Sequence, residues 1–125
     1  MSEATEVWRI YTAEDGKSRM QPVPIAMEAA GNGSASKLLA GPGVILRRIP
    51  HDIHPEWHNA PRRQLIATLK GEGEIETGDG QVLVLRAGVV TVVEDVDGVG
   101  HITRGRGSED RLCLFLPLSS DTVLS

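Results

Sequence analysis

A chain of 125 residues is long enough for one packed core and too short for two, so a single domain spanning 1–125 is expected. Its only aromatic residues are Trp8, Tyr11, Trp57 and Phe115, so the core must come from Val, Leu and Ile. Fourteen glycines and seven prolines imply many turns between short elements, which favours an all-β fold. A formal charge of −4, with basic residues scattered among acids, excludes the basic stripe of a nucleic-acid binder.

In chain order, Met1–Glu6 is acidic and lacks the apolar stretch of a secretory signal. Glu6–Tyr11 alternates polar and apolar residues and predicts a strand, closed by a polar turn over Thr12–Ser18. Pro22–Met27 reads as an edge strand, because its prolines cannot donate to a central ladder. Ala29–Gly43, rich in Gly, Ser and Ala, reads as an ordered loop that leaves the N-terminal strands (6–28) and leads to the main β unit (44–118). Val44–Ile49 is the next strand, and Pro50–Glu56 is a loop with two histidines.

Gln64–Lys70 predicts a strand with Gln64, Ile66 and Thr68 on one face and Leu65, Ala67 and Leu69 on the other. Gly71-Glu72-Gly73 is a bend, and Gly78-Asp79-Gly80 a hairpin turn before the strand Gln81–Leu85. Val89–Val93 is a further strand, Asp95–Gly100 a loop, and His101–Arg104 a short extended segment. The most apolar region, Val82–Val93, is cut by Arg86 and falls short of the ~20 residues of a membrane span. Gly105–Asp110 is a polar turn and Arg111–Leu118 the closing strand, with Ser119–Ser125 as a tail. Cys113, the only cysteine, lies in an apolar run, which points to buried packing and suits a reducing cytoplasm. Regular short strands without an amphipathic helix are the pattern of a sandwich or closed barrel.

The stretch Trp57-His58-Asn59-Ala60-Pro61-Arg62-Arg63-Gln64 carries the densest polar chemistry, and His101 follows the turn-rich Gly98-Val99-Gly100. From Gly43 to Leu118 the chain resembles a small single-domain cupin, a double-stranded β-helix or jelly-roll barrel. The matching positions are His58, Gln64 and Gly71 for that family's first motif, and Gly88 and His101 for its second. The wording around Trp57–Gln64 and Glu94–His101 is similar to that of short bacterial cupins. The departures lie at the metal positions: Ala60 stands where the second histidine belongs, and Gln64 where the carboxylate belongs. Glu94 replaces a proline, and two extra residues precede His101.

The resemblance implies a site built on His58, Gln64 and His101, able to hold a divalent transition metal (Fe, Mn, Ni or Zn) or to work with none. His54 is a weaker substitute ligand. Pro50 and Pro55 exclude a helix that would align His51, His54 and His58, so His51 and His54 read as solvated loop residues. Without metal, His58 and His101 are the catalytic candidates, since imidazole transfers protons near neutral pH. Ile66 and Thr68 would line the pocket. Arg62, inward by strand parity with Arg63 outward, would fork a carboxylate or phosphate, or else pair with Glu56, Glu94 or Asp95. Glu94-Asp95 is either pocket rim or solvated turn. Trp57 would shield the pocket mouth, anchor an interface or cap the core.

Neither Gly71-Glu72-Gly73 nor Gly98-Val99-Gly100 precedes a helix, so neither is a phosphate cradle. Two functions follow from the resemblance. One is an enzyme of the oxygenase, isomerase or lyase kind acting on a small polar organic molecule. The other is a non-catalytic binding or sensing module for such a molecule. The expected partners are that small molecule and a second copy of the chain, in a cytoplasmic homodimer that binds neither nucleic acid nor membrane.

Overall fold

The computed structural model describes residues 3–124, so Met1 and Ser2 of the acidic N-terminus and Ser125 of the tail lie outside the described residues. Among those described, every regular element is a strand, and no helix is long and apolar enough to cross a membrane. The strands are β1 (Glu3–Thr12), β2 (Ser18–Ala30), β3 (Gly33–Ala35), β4 (Ile45–Ile49), β5 (Gln64–Lys70), β6 (Glu72–Glu76), β7 (Val82–Leu85), β8 (Val90–Val93), β9 (Ile102–Arg106) and β10 (Arg111–Pro117). A seven-stranded sheet has the order β3-β2-β1-β8-β5-β10-β4, and a three-stranded sheet the order β7-β6-β9. Two facing sheets of this kind are compatible with a β-sandwich.

Alternation along the strands sorts side chains between the two faces of the large sheet. Gln64, Ile66 and Thr68 pair across to Val93, Thr91 and, on β10, Pro117, Phe115 and Cys113. This is the face that the sequence assigned to them. Ile10, Met20, Val93 and Ala60 on that side meet Ile75 and Leu85 of the small sheet. The opposite face carries Val7, Ile25 and Val92, covered by Leu118 and Leu124 of the C-terminal segment. That segment is zipped to residues 39–41: Ser119 N–H and Thr122 Oγ1 both donate to the Ala40 carbonyl, at 2.9 and 2.7 Å. A side chain at Gly41 would collide with the Pro117 carbonyl, so the close approach requires glycine there.

Several boundaries differ from the sequence expectation. β2 runs from Ser18 to Ala30 rather than over Pro22–Met27 alone, and it is flanked by β1 and β3. β3 covers only Glu28–Ala30 of it, so Pro22 and Pro24 still sit where β2 has no second neighbour, as their missing N–H groups require. The expected loop 29–43 contains β3. Gly73 is not part of a bend but lies inside β6, leaving Gly71, with φ +78°, to make the turn. Gly105 likewise belongs to β9 rather than to a turn.

Candidate functional site

A cavity of about 150 Å³ lies between the sheets. Its exposed wall residues, Arg47, His58 and Pro61, mark the mouth, and the buried Gln64, His101, Ile75, Thr91, Val93 and Phe115 form its depth. His58 and His101 stand opposite one another because their backbones pair: each N–H donates to the other's carbonyl, at 3.0 and 2.9 Å. Their ring centroids are 4.5 Å apart and the planes are tilted by 59°. Gly100 makes this approach possible. Its φ is +82°, and a Cβ there would strike the His58 carbonyl.

The loop after β8 is laced from both sides. Ala60 N–H donates to the Asp95 carbonyl at 3.1 Å, and Asn59 Nδ2 donates to the carbonyls of Asp97 and Gly98 at 2.9 and 3.1 Å. Ser18 Oγ donates to the Gly100 carbonyl at 2.6 Å. This lacing delivers Asp95, 0% exposed, to His101, 5% exposed, with Oδ2 to Nδ1 at 2.5 Å. A carboxylate accepts, so Nδ1 carries the hydrogen and Nε2 is the ring nitrogen left for a ligand. His58 is fixed in the same sense, since its Nδ1 lies 2.9 Å from the Glu56 carbonyl, which can only accept. Both imidazoles therefore offer Nε2.

Gln64 is buried (1% exposed) in the cavity wall, and its Oε1 accepts from Arg62 Nη1 at 3.2 Å. Its amide N–H groups remain as donors. Arg62 itself is exposed and outside the lining, so it reaches the site only through Gln64. No ion pair joins it to Glu56, Glu94 or Asp95 among the described residues. Arg63 takes Glu94 instead, together with Arg9. Burial alone would push the Glu94 carboxyl up, but hydrogen bonds from Arg9 and Arg63 outweigh it and hold the group below its ordinary value. Ile66 lines the cavity. Thr68 is buried on the same face but is not in the lining, and Trp57 is 45% exposed and outside it, which excludes a core cap. His54 projects into solvent beside Glu56.

Two lining groups, Arg47 and Arg111, were not foreseen, and Asp95, read as pocket rim or solvated turn, is instead buried against His101. Asp95 continues the inward parity of Thr91 and Val93. Arg47 and Arg111 share the parity of Ile49 and Cys113, opposite which they pair: Arg111 with Ile49, and Cys113 with Arg47. A charged residue in phase with buried neighbours was the available signal. Arg111 is 6% exposed. Arg47 stacks its guanidinium 5.2 Å from the Phe115 ring centroid.

These charges bear on the metal that the resemblance implied. Gln64 Oε1 is committed to a cation, Asp95 is committed to His101, and two guanidinium groups share the wall. Ala60, at the place of a third imidazole, packs in the apolar cluster. Among the described residues no three His, Cys, Asp or Glu side chains gather around one point. A donor set of two imidazoles beside two guanidinium groups does not suit a divalent cation. No protein-family model matches the chain, and no curated protein matches its sequence.

Proposed function

We propose that the two sheets form the double-stranded β-helix of a cupin, and that its interior binds a small polar organic molecule and moves a proton on it without a metal. The observation that carries this reading is the Asp95–His101 couple set beside His58, both rings in the wall of one cavity. The support for the cupin topology is the meeting of His58 and His101, the two histidines that the motif resemblance paired. Asp95 accepts from Nδ1 whether or not His101 carries its second proton, so the ring can give or take a proton at Nε2 without turning. The Glu56 carbonyl fixes His58 in the same way.

With one proton between the two rings, one imidazole is a base and the other an acid. On a ligand with a carbonyl, the base takes a hydrogen from the adjacent carbon. The C–H electron pair becomes a C=C bond, the carbonyl π pair moves to oxygen, and the second ring protonates that oxygen. Return of a proton to the same carbon gives exchange; where that carbon also bears a hydroxyl, loss of the hydroxyl proton and protonation of the former carbonyl carbon moves the carbonyl and gives isomerisation. Pocket walls of Ile49, Ile53, Ile66 and Ile75 set apolar surface around the reacting carbon.

The test is proton NMR of butanone and 2-oxobutyrate incubated with the protein in D₂O. Hydrogen on the carbon next to the carbonyl should exchange, unaffected by EDTA, and His101→Gln or His58→Gln should slow it by about 10²- to 10⁴-fold. Binding without exchange would make the chain a non-catalytic binding module. Stoichiometric Fe, Mn, Ni or Zn in the purified protein, lost on His58→Ala and His101→Ala, would overturn the metal-free reading.

A further inference from the structure

We propose that the cavity takes a short-chain carboxylate, its anionic group held between Arg111 and Arg47 and its other end at His58 and His101. What happens at the histidine end rests on the proton-transfer reading above, but the carboxylate end stands on separate residues.

Arg111 is the one buried lysine or arginine among the described residues. Arg9, Arg63, Lys70, Arg104 and Arg106 each face a carboxylate. Arg111 is buried, yet no carboxylate pairs with it among the described residues, and its Nη1 has no hydrogen-bond partner. Burial pushes its guanidinium below its ordinary value; Cys113 acts in the opposite direction, and the like charge of Arg47 adds to the depression. A guanidinium does not shed its proton in a protein, so the cost of burying it must be offset by a counter-ion.

Arg111 and Arg47 lie on the same face of adjacent strands, two residue pairs apart along the ladder, which makes them diagonal neighbours about 7–8 Å apart at the backbone. Long side chains close that gap around a single anion. Gly73 clears the space: a Cβ there would stand 3.6 Å from Arg111 Nε and 2.8 Å from the Arg104 carbonyl. The free amide hydrogens of Gln64 add a further donor to a wall that has no free carboxylate.

Size and lining then choose among anions. A cavity near 150 Å³ matches one known to hold benzene, so the ligand has roughly six to eight non-hydrogen atoms. The aliphatic side chains between the two polar ends suit the hydrocarbon of a four- or five-carbon organic acid, which inorganic phosphate lacks.

Calorimetry with butyrate and 2-oxobutyrate, against butyramide and inorganic phosphate, tests this on the intact chain. The acids should bind at least about tenfold more tightly than the amide, and Arg111→Met should weaken them roughly ten- to hundredfold. Removing an uncompensated buried charge should leave the melting temperature of Arg111→Met at or above that of the parent. Arg47→Gln, at the exposed mouth, should weaken the acids while leaving the fold intact. Equal affinity for acid and amide, binding of phosphate alone, or undiminished acid binding in both arginine variants would overturn the proposal. Exchange on butanone without affinity for either acid would remove the carboxylate site and keep the proton transfer. Affinity for the acids without exchange would do the converse.

Discussion

Asp95 and Arg111 are the two buried charges facing this cavity's chemistry, and they are treated in opposite ways. Asp95 gives one oxygen to His101 and receives nothing on Oδ1, so His101 is its one side-chain hydrogen-bond partner among the described residues. Asp95→Asn should keep the fold, because the Ala60 and Asn59 bonds go to the backbone carbonyl. It should nevertheless slow exchange by about 10²- to 10⁴-fold. An unchanged rate in that variant would show that His101 needs no orienting carboxylate. His58 and His101 were legible because the motif resemblance paired them, whereas His51 and His54, beside Pro50 and Pro55, read as solvated loop. Arg47 and Arg111 were not legible, and Asp95 was legible only as pocket rim or solvated turn, because a charge in an apolar alternation reads as solvated unless its phase is followed. Arg62 drew attention for its neighbours, but Pro61 breaks the parity that would have turned it inward.

At the scale of elements, Glu94 is the clamp that joins β1, the approach to β5 and the C-terminal segment. It pairs with Arg9 and Arg63, and Arg63 Nη1 donates in turn to the Thr122 carbonyl at 2.5 Å. The Glu94 carboxyl is depressed in the folded state. Its contribution to stability is therefore complete above the ordinary glutamate value and is lost as pH falls through the lower folded value. Acidification should loosen residues 118–124 first and expose Val7, Ile25 and Val92. Thermal melts from neutral to acid pH should fall more steeply for the parent than for Glu94→Gln; equal slopes would remove Glu94 from the acid response. The strands themselves were readable from alternation, most clearly β5. The length of β2 and the strand character of Gly73 and Gly105 were not, because pairing partners decide them. A glycine between strands and a glycine inside one look alike until the opposing backbone is in place.

Across the whole molecule, the large sheet ends at β4, where Ile45 and Leu46, with Val44 just before the strand, are exposed. An uncapped apolar edge is a template for further pairing. A homodimer formed along this edge would cover it, and light scattering at micromolar concentration should then return twice the chain's 13.4 kDa. A monomer mass would count against it. The bulk of the molecule is independent of that edge, since Ile10, Leu85, Val92 and Val93 are enclosed by the sheets and the C-terminal segment.

The mutual backbone pairing of His58 and His101 also gives the protein a built-in gauge. The amide hydrogens of the two residues proposed to do the chemistry are the same ones that lock the site shut. Their hydrogen exchange therefore reports on assembly while their side chains report on reactivity. A variant that is inactive with both amides still protected has lost a proton relay. One in which they exchange freely has lost the site's architecture.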